Sequence, residues 1–152
     1  MRAWLPIVSL LALNLSAVSL CASPGDNKQP GPDAIAALEA RAAQAQPREQ
    51  CFLYAELIQK MTDLSIRQYA AGDIDKATNL LKQVQSIAQK IHLSLADNDK
   101  RLKDAEILLN HSVFRLNEML HASSIEDRPL VEQTLARVTQ AQNATMMQVF
   151  HK

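Results

Sequence analysis

Between Gly72 and Pro129 the chain holds no glycine and no proline, and its apolar residues keep a single seven-residue register. Ile74, Leu81, Ala88, Leu95, Leu102, Leu109 and Leu116 occupy one position of the repeat. Ala77, Val84, Ile91, Ala105 and Met119 fill the companion position, with Asn98 and Ser112 as its polar members. Alternating steps of three and four belong to one face of a helix, and a heptad carried this far is the signature of a coiled-coil seam. Taken as one helix over 74–121, the seam would be on the order of 70 Å long. The alternative places a break near 96–99, where Asp97, Asn98 and Asp99 can make a turn and a new cap. That yields four helices of similar length and an up-down-up-down bundle. The unchanged phase across 96–99, and the lack of Gly or Pro there, favour the continuous helix.

The flanks are openly punctuated. Residues 24–33 contain three prolines and two glycines and no large apolar side chain, which describes a tether. Ala34–Gln46 carries a weak stripe of Ile35, Leu38, Ala42 and Ala45, and its alanine richness favours helix. Pro47 suits a first helical turn, and Tyr54, Leu57, Met61, Leu64 and Gln68, with Ile58 beside them, recur at helical spacing after it. Gly72 ends that helix and Asp73 caps the next, so tight a link that the two must form an antiparallel hairpin. Ser123, Ser124, Asp127 and Pro129 mark the last boundary. The final helix carries Val131, Leu135, Val138, Thr145 and Val149 on one side. The fold class expected is all-α: antiparallel helical hairpins around a long central helix, with residues 34–152 as a single helical domain.

Residues 1–23 read as an address. Arg2 gives a positive start, Leu5–Leu20 an apolar middle, and Cys21, Ala22 and Ser23 a small-residue cleavage zone, the order of a secretory signal. Pro6, Ser9, Asn14 and Ser16 interrupt the apolar run, which is short for a membrane span. Export to a periplasm or the extracellular space is therefore the expectation. A lipid anchor on Cys21 is the alternative, set against it by Leu20 where lipoproteins carry a small residue. Losing residues 1–23 removes Arg2 alone among the charged residues, leaving the mature chain within one charge of neutral. Such a balance gives no electrostatic reason to bind nucleic acid or anionic lipid.

Aromatics are only 4% of the chain, so its core must be aliphatic and Ala-rich. Once Cys21 leaves with the signal, Cys51 is the single cysteine and no internal disulfide framework exists. Cys51 is read either as a buried thiol in a helix face or as a disulfide link between two chains.

Candidate chemistry is sparse. Glu118-x-x-His121 is the one spacing with metal-site character, because residues three apart share a helical face. His92 is the third candidate ligand, on a line with Asp99 and Glu106, while Glu49, Glu56 and Asp63 form a similar line on the preceding helix. Such stripes serve more commonly as an interhelical salt ladder. No Gly-x-Ser-x-Gly, phosphate-binding loop, His-Glu-x-x-His or Cys-x-x-Cys-His occurs. No cofactor is implied. Ala71-Gly72-Asp73, followed by Lys76, Ala77 and Leu81, resembles the turn and second helix of one tetratricopeptide repeat. Gln68 stands where that family's helix-A aromatic would, and no second copy follows at the family's period.

A seam too long for its flanking helices, without a catalytic constellation, points to an exported, non-enzymatic helical protein. It would act by self-association, as a homo-oligomer, or by binding another protein or peptide. A metal-binding bundle using Glu118, His121 and His92 is the alternative.

Overall fold

The computed structural model describes residues 31–95 and 101–151. The expected signal, most of the expected tether, and Asp97, Asn98 and Asp99 lie outside them. The described residues are all-α: α1 (Pro32–Gln44), α2 (Pro47–Ala70), α3 (Ile74–Ser94), α4 (Leu102–Ala122) and α5 (Arg128–Phe150). Helix α1 begins inside the stretch read as a tether. Pro32 starts it, losing no needed hydrogen bond in the first turn.

The continuous central helix is not what forms. Helix α3 ends at Ser94, α4 begins at Leu102, and both pack along α2. Lys90 lies over the Tyr54 ring, so α3 runs antiparallel to α2. Gln59 bonds His111, Asp63 pairs with Arg115, and Tyr69 reaches Ser124, so α4 runs parallel to α2. The chain therefore reverses between α3 and α4. A straight helix would have left half its seam without a partner, whereas the reversal buries both halves in one core. The shorter-helix alternative describes the chain better, with one difference. In a simple up-down bundle consecutive helices are neighbours, but here α3 and α4 have no Cα pair within 8 Å among the described residues. The hairpins α2–α3 and α4–α5 lie side by side instead, with parallel contacts α2–α4 and α3–α5.

The heptad residues keep their burial despite the break. Every seam member from Ala77 to Met119 among the described residues is buried, and only Ile74 at the start is exposed. Among the described residues no aromatic ring is fully buried, so their core is aliphatic. Helix α2 is buried over more of its circumference than the expected stripe: Cys51, Ala55, Thr62 and Ser65 join Leu57, Ile58, Met61 and Leu64, while Tyr54 and Gln68 are only half-buried. Small residues on this added side let neighbouring helices approach closely. The hydroxyls of Ser65, Ser112, Thr134 and Thr145 each donate to a carbonyl three or four residues back, which makes their burial affordable. Among the described helices α1 packs only on α2, with Ile35, Leu38 and Ala42 buried.

Gly72, at φ +84°, closes α2. The Gly72 N–H donates to the Tyr69 carbonyl (3.0 Å) and the Asp73 N–H to that of Gln68 (2.9 Å). The Asp73 carboxylate accepts from the Lys76 ammonium at 3.2 Å rather than from a backbone N–H. At the other boundary the Tyr69 hydroxyl donates to Asp127 (3.0 Å) and accepts from the Ser124 N–H (2.9 Å). These bonds tie the α4–α5 link to the end of α2.

Two outcomes follow from this topology. Inserting two glycines between α3 and α4 lengthens a connection rather than shifting a helical register. It is expected to cost under ~1 kcal/mol in urea unfolding, and a loss of several kcal/mol would restore the continuous helix. Tyr69→Phe is expected to lower stability by about 1 kcal/mol, measured in the same way.

Candidate functional site

The sequence-derived metal candidates do not converge. His92 lies near the C-terminal end of α3, level with the start of α2, whereas Glu118 and His121 lie at the end of α4, level with the end of α2. Glu118 accepts from Arg115 at 2.6 Å, and His121 is exposed. Among the described residues no three His, Cys, Asp or Glu side chains are grouped closely enough to hold a metal ion. The carboxylate stripes are partnered elsewhere. Asp63 meets Arg115 at 3.4 Å across α2 and α4, Glu56 meets Lys60 at 3.6 Å, and Glu106 accepts from Gln142 at 2.9 Å.

Cys51 is wholly buried. Burial pushes its thiol from 9.0 up to about 11, and the Thr145 hydroxyl of α5 offsets part of that rise. A disulfide between chains would require this end of α2 to leave the core.

A hollow lies between α3 and α5. Gln85 donates to the Thr134 hydroxyl at 2.9 Å and fixes the two parallel helices together. Beyond that bridge the facing residues are small, Ala88 and Ala141, and a cavity of about 280 Å³ opens above them. Its rim carries Gln89, His92 and Leu93 from α3 and Arg137 and Gln140 from α5. A shallower depression continues along α5 past His92 and Gln140 to Ala144 and Met147. Leu93 is 82% exposed, Met147 57%, and Phe150 at the end of α5 78%. Amides, one guanidinium and one imidazole thus surround an apolar floor, an arrangement that can hold a chain segment but offers no aligned nucleophile and base.

Two other hollows are smaller in consequence. One, of about 230 Å³, lies among Arg41, Glu49, Phe52, Leu53 and Arg101. There Arg101, in the left-handed region at φ 61°, stacks its guanidinium 3.4 Å from the Phe52 ring centre. The other lies between Tyr54 and the end of α3, under Lys90. No helix among the described residues is long and apolar enough to cross a membrane. Comparison with family models, curated proteins and solved structures gives no match for this chain.

The α3–α5 groove was missed by reasoning from sequence, although Leu93 stood out of register with the seam and was a readable sign of an apolar side chain facing outward. The buried thiol supplies a prediction. The unfolded chain loses the Cys51 proton near pH 9 and the folded chain only near pH 11. Its contribution is thus complete below pH 9 and falls by about 2 kcal/mol as pH rises through 11. Urea unfolding from pH 8 to 11 is expected to show a steeper decline for the wild type than for Cys51→Ala; equal slopes would contradict it.

Proposed function

We propose that this is an exported protein that acts without catalysis, by docking a segment of another protein into the groove between α3 and α5. Export rests on the charged start, apolar middle and small-residue end of residues 1–23. The observation that carries the docking reading is the exposure of Leu93 and Met147 along one continuous hollow, with exposed Phe150 at the end of α5. Surface apolar residues scattered singly need no explanation, but a cluster beside a hollow marks an interaction site.

Self-association draws less support. Its motive was a seam longer than its partners, and α2 and α5 now flank both halves of that seam within one chain. A second exposed pair, Ile107 (54%) and Phe114 (61%) on α4, lies seven residues apart on one line.

The test is fluorescence anisotropy with an amphipathic helical peptide bearing a leucine stripe and an uncharged polar face. The wild type is expected to bind. Leu93→Gln combined with Met147→Gln is expected to weaken binding about tenfold or more, given ~1.5–3 kcal/mol for each apolar side chain buried, with the melting temperature unchanged. Undiminished binding by the double variant would remove the groove from the reading. A wild type that ignores the peptide while its light-scattering mass grows with concentration would assign the apolar surface to self-association.

A further inference from the structure

The charge of the chain is balanced at 16 basic and 16 acidic residues, but it is not evenly spread. No Asp or Glu occurs from Lys76 to Leu95, or from Gln133 to Lys152. These stretches make up α3 and α5 beyond Asp75 and Glu132, which stand near the helix N-termini where the helix dipole favours a carboxylate. Because α3 and α5 are parallel neighbours, the two acid-free lengths lie side by side. Arg137 lines the groove, and Lys82 stands exposed seven residues before Gln89 on the same line of α3. Neither has a carboxylate partner among the described residues. The opposite layer differs: on α2 and α4, Glu56 is paired with Lys60, and Asp63 and Glu118 with Arg115. Uncompensated positive charge therefore borders the apolar groove.

We infer that the occupant of the α3–α5 groove is an acidic amphipathic helix belonging to another protein. This inference rests on the docking reading above. The apolar stripe of the helix covers Ala88, Leu93, Ala141 and Met147, and its carboxylates meet Arg137 and Lys82. Helix-in-groove binding fits a hollow framed by two parallel helices. The paired cations reject a basic stripe as well as attract an acidic one, which gives specificity.

The experiment uses the full mature chain and three peptides of about 20 residues sharing one leucine stripe, with glutamate, glutamine or lysine on the polar face. At about 50 mM salt the glutamate peptide is expected to bind at least ~tenfold more tightly than the lysine peptide, and the advantage shrinks several-fold at about 500 mM. Lys82→Glu with Arg137→Glu is expected to reverse the order at unchanged melting temperature. Equal binding of all three peptides would overturn the inference and leave docking standing. Failure of all three would overturn both. Phosphatidylglycerol vesicles bound as tightly as the glutamate peptide would overturn it in favour of a lipid surface.

Discussion

Everything in this bundle depends on how much of α2 can be covered. With neither a disulfide nor a fully buried aromatic ring among the described residues, the fold is held by aliphatic contact, and α2 is where that contact concentrates. It touches α1, α3 and α4 directly, and Cys51 reaches Thr145 of α5 across the core. Bulky side chains all round would have kept the neighbours apart. Cys51, Ala55 and Ser65 are small enough to leave room. Leu57, Ile58 and Met61, each at most 1% exposed, then fill the interior. The polar members of this arc add little cost where their hydroxyls return to the helix backbone.

The seam shows how a sequence pattern can be right about residues and wrong about the helix. Each heptad position that the structure describes after Ile74 is buried, yet the helix is broken. Leu102, at the start of α4, stands seven residues after the buried Leu95, so α4 begins in the heptad phase in which α3 ends. Periodicity records which face is covered and cannot tell whether the same helix or another continues it. Asp97, Asn98 and Asp99, the turn and cap considered for a break, lie outside the described residues. On α2 the error ran the other way. A pattern of large apolar residues finds Leu57, Met61 and Leu64, but small and hydroxyl-bearing residues look like surface until a close neighbour is known. The α1 stripe of Ile35, Leu38 and Ala42 is legible because, among the described helices, α1 has one partner and buries one face.

Sites are less legible than cores for a related reason. Glu118 and His121 share a face, as spacing requires, but spacing does not say which end of the bundle they reach or what stands opposite. His92 is on another helix at the other end. The groove between α3 and α5 exists because those helices, 49 residues apart at the Gln85–Thr134 bridge, lie parallel. Nothing in either helix alone specifies that neighbour. What the sequence did contain was the acid-free composition of both segments and the out-of-phase Leu93, neither of which acquires meaning until the helices are placed together.

Net charge is a poor guide to a molecule built this way. A balanced chain gives no electrostatic reason to bind nucleic acid or anionic lipid, but that balance describes the whole sequence and not each layer of the bundle. Electrostatic recognition, however, acts over about a Debye length of ~8 Å in physiological salt, which is less than the width of one helix with its side chains. Over that distance a partner senses one layer of the bundle rather than the whole. Pairing acids with bases along α2 and α4 while leaving α3 and α5 without acids beyond Asp75 and Glu132 preserves overall neutrality and still polarises a single face. The same segregation keeps the apolar groove from being an indiscriminate hydrophobic patch, because a segment that fits its floor must also tolerate the Arg137 guanidinium at its rim.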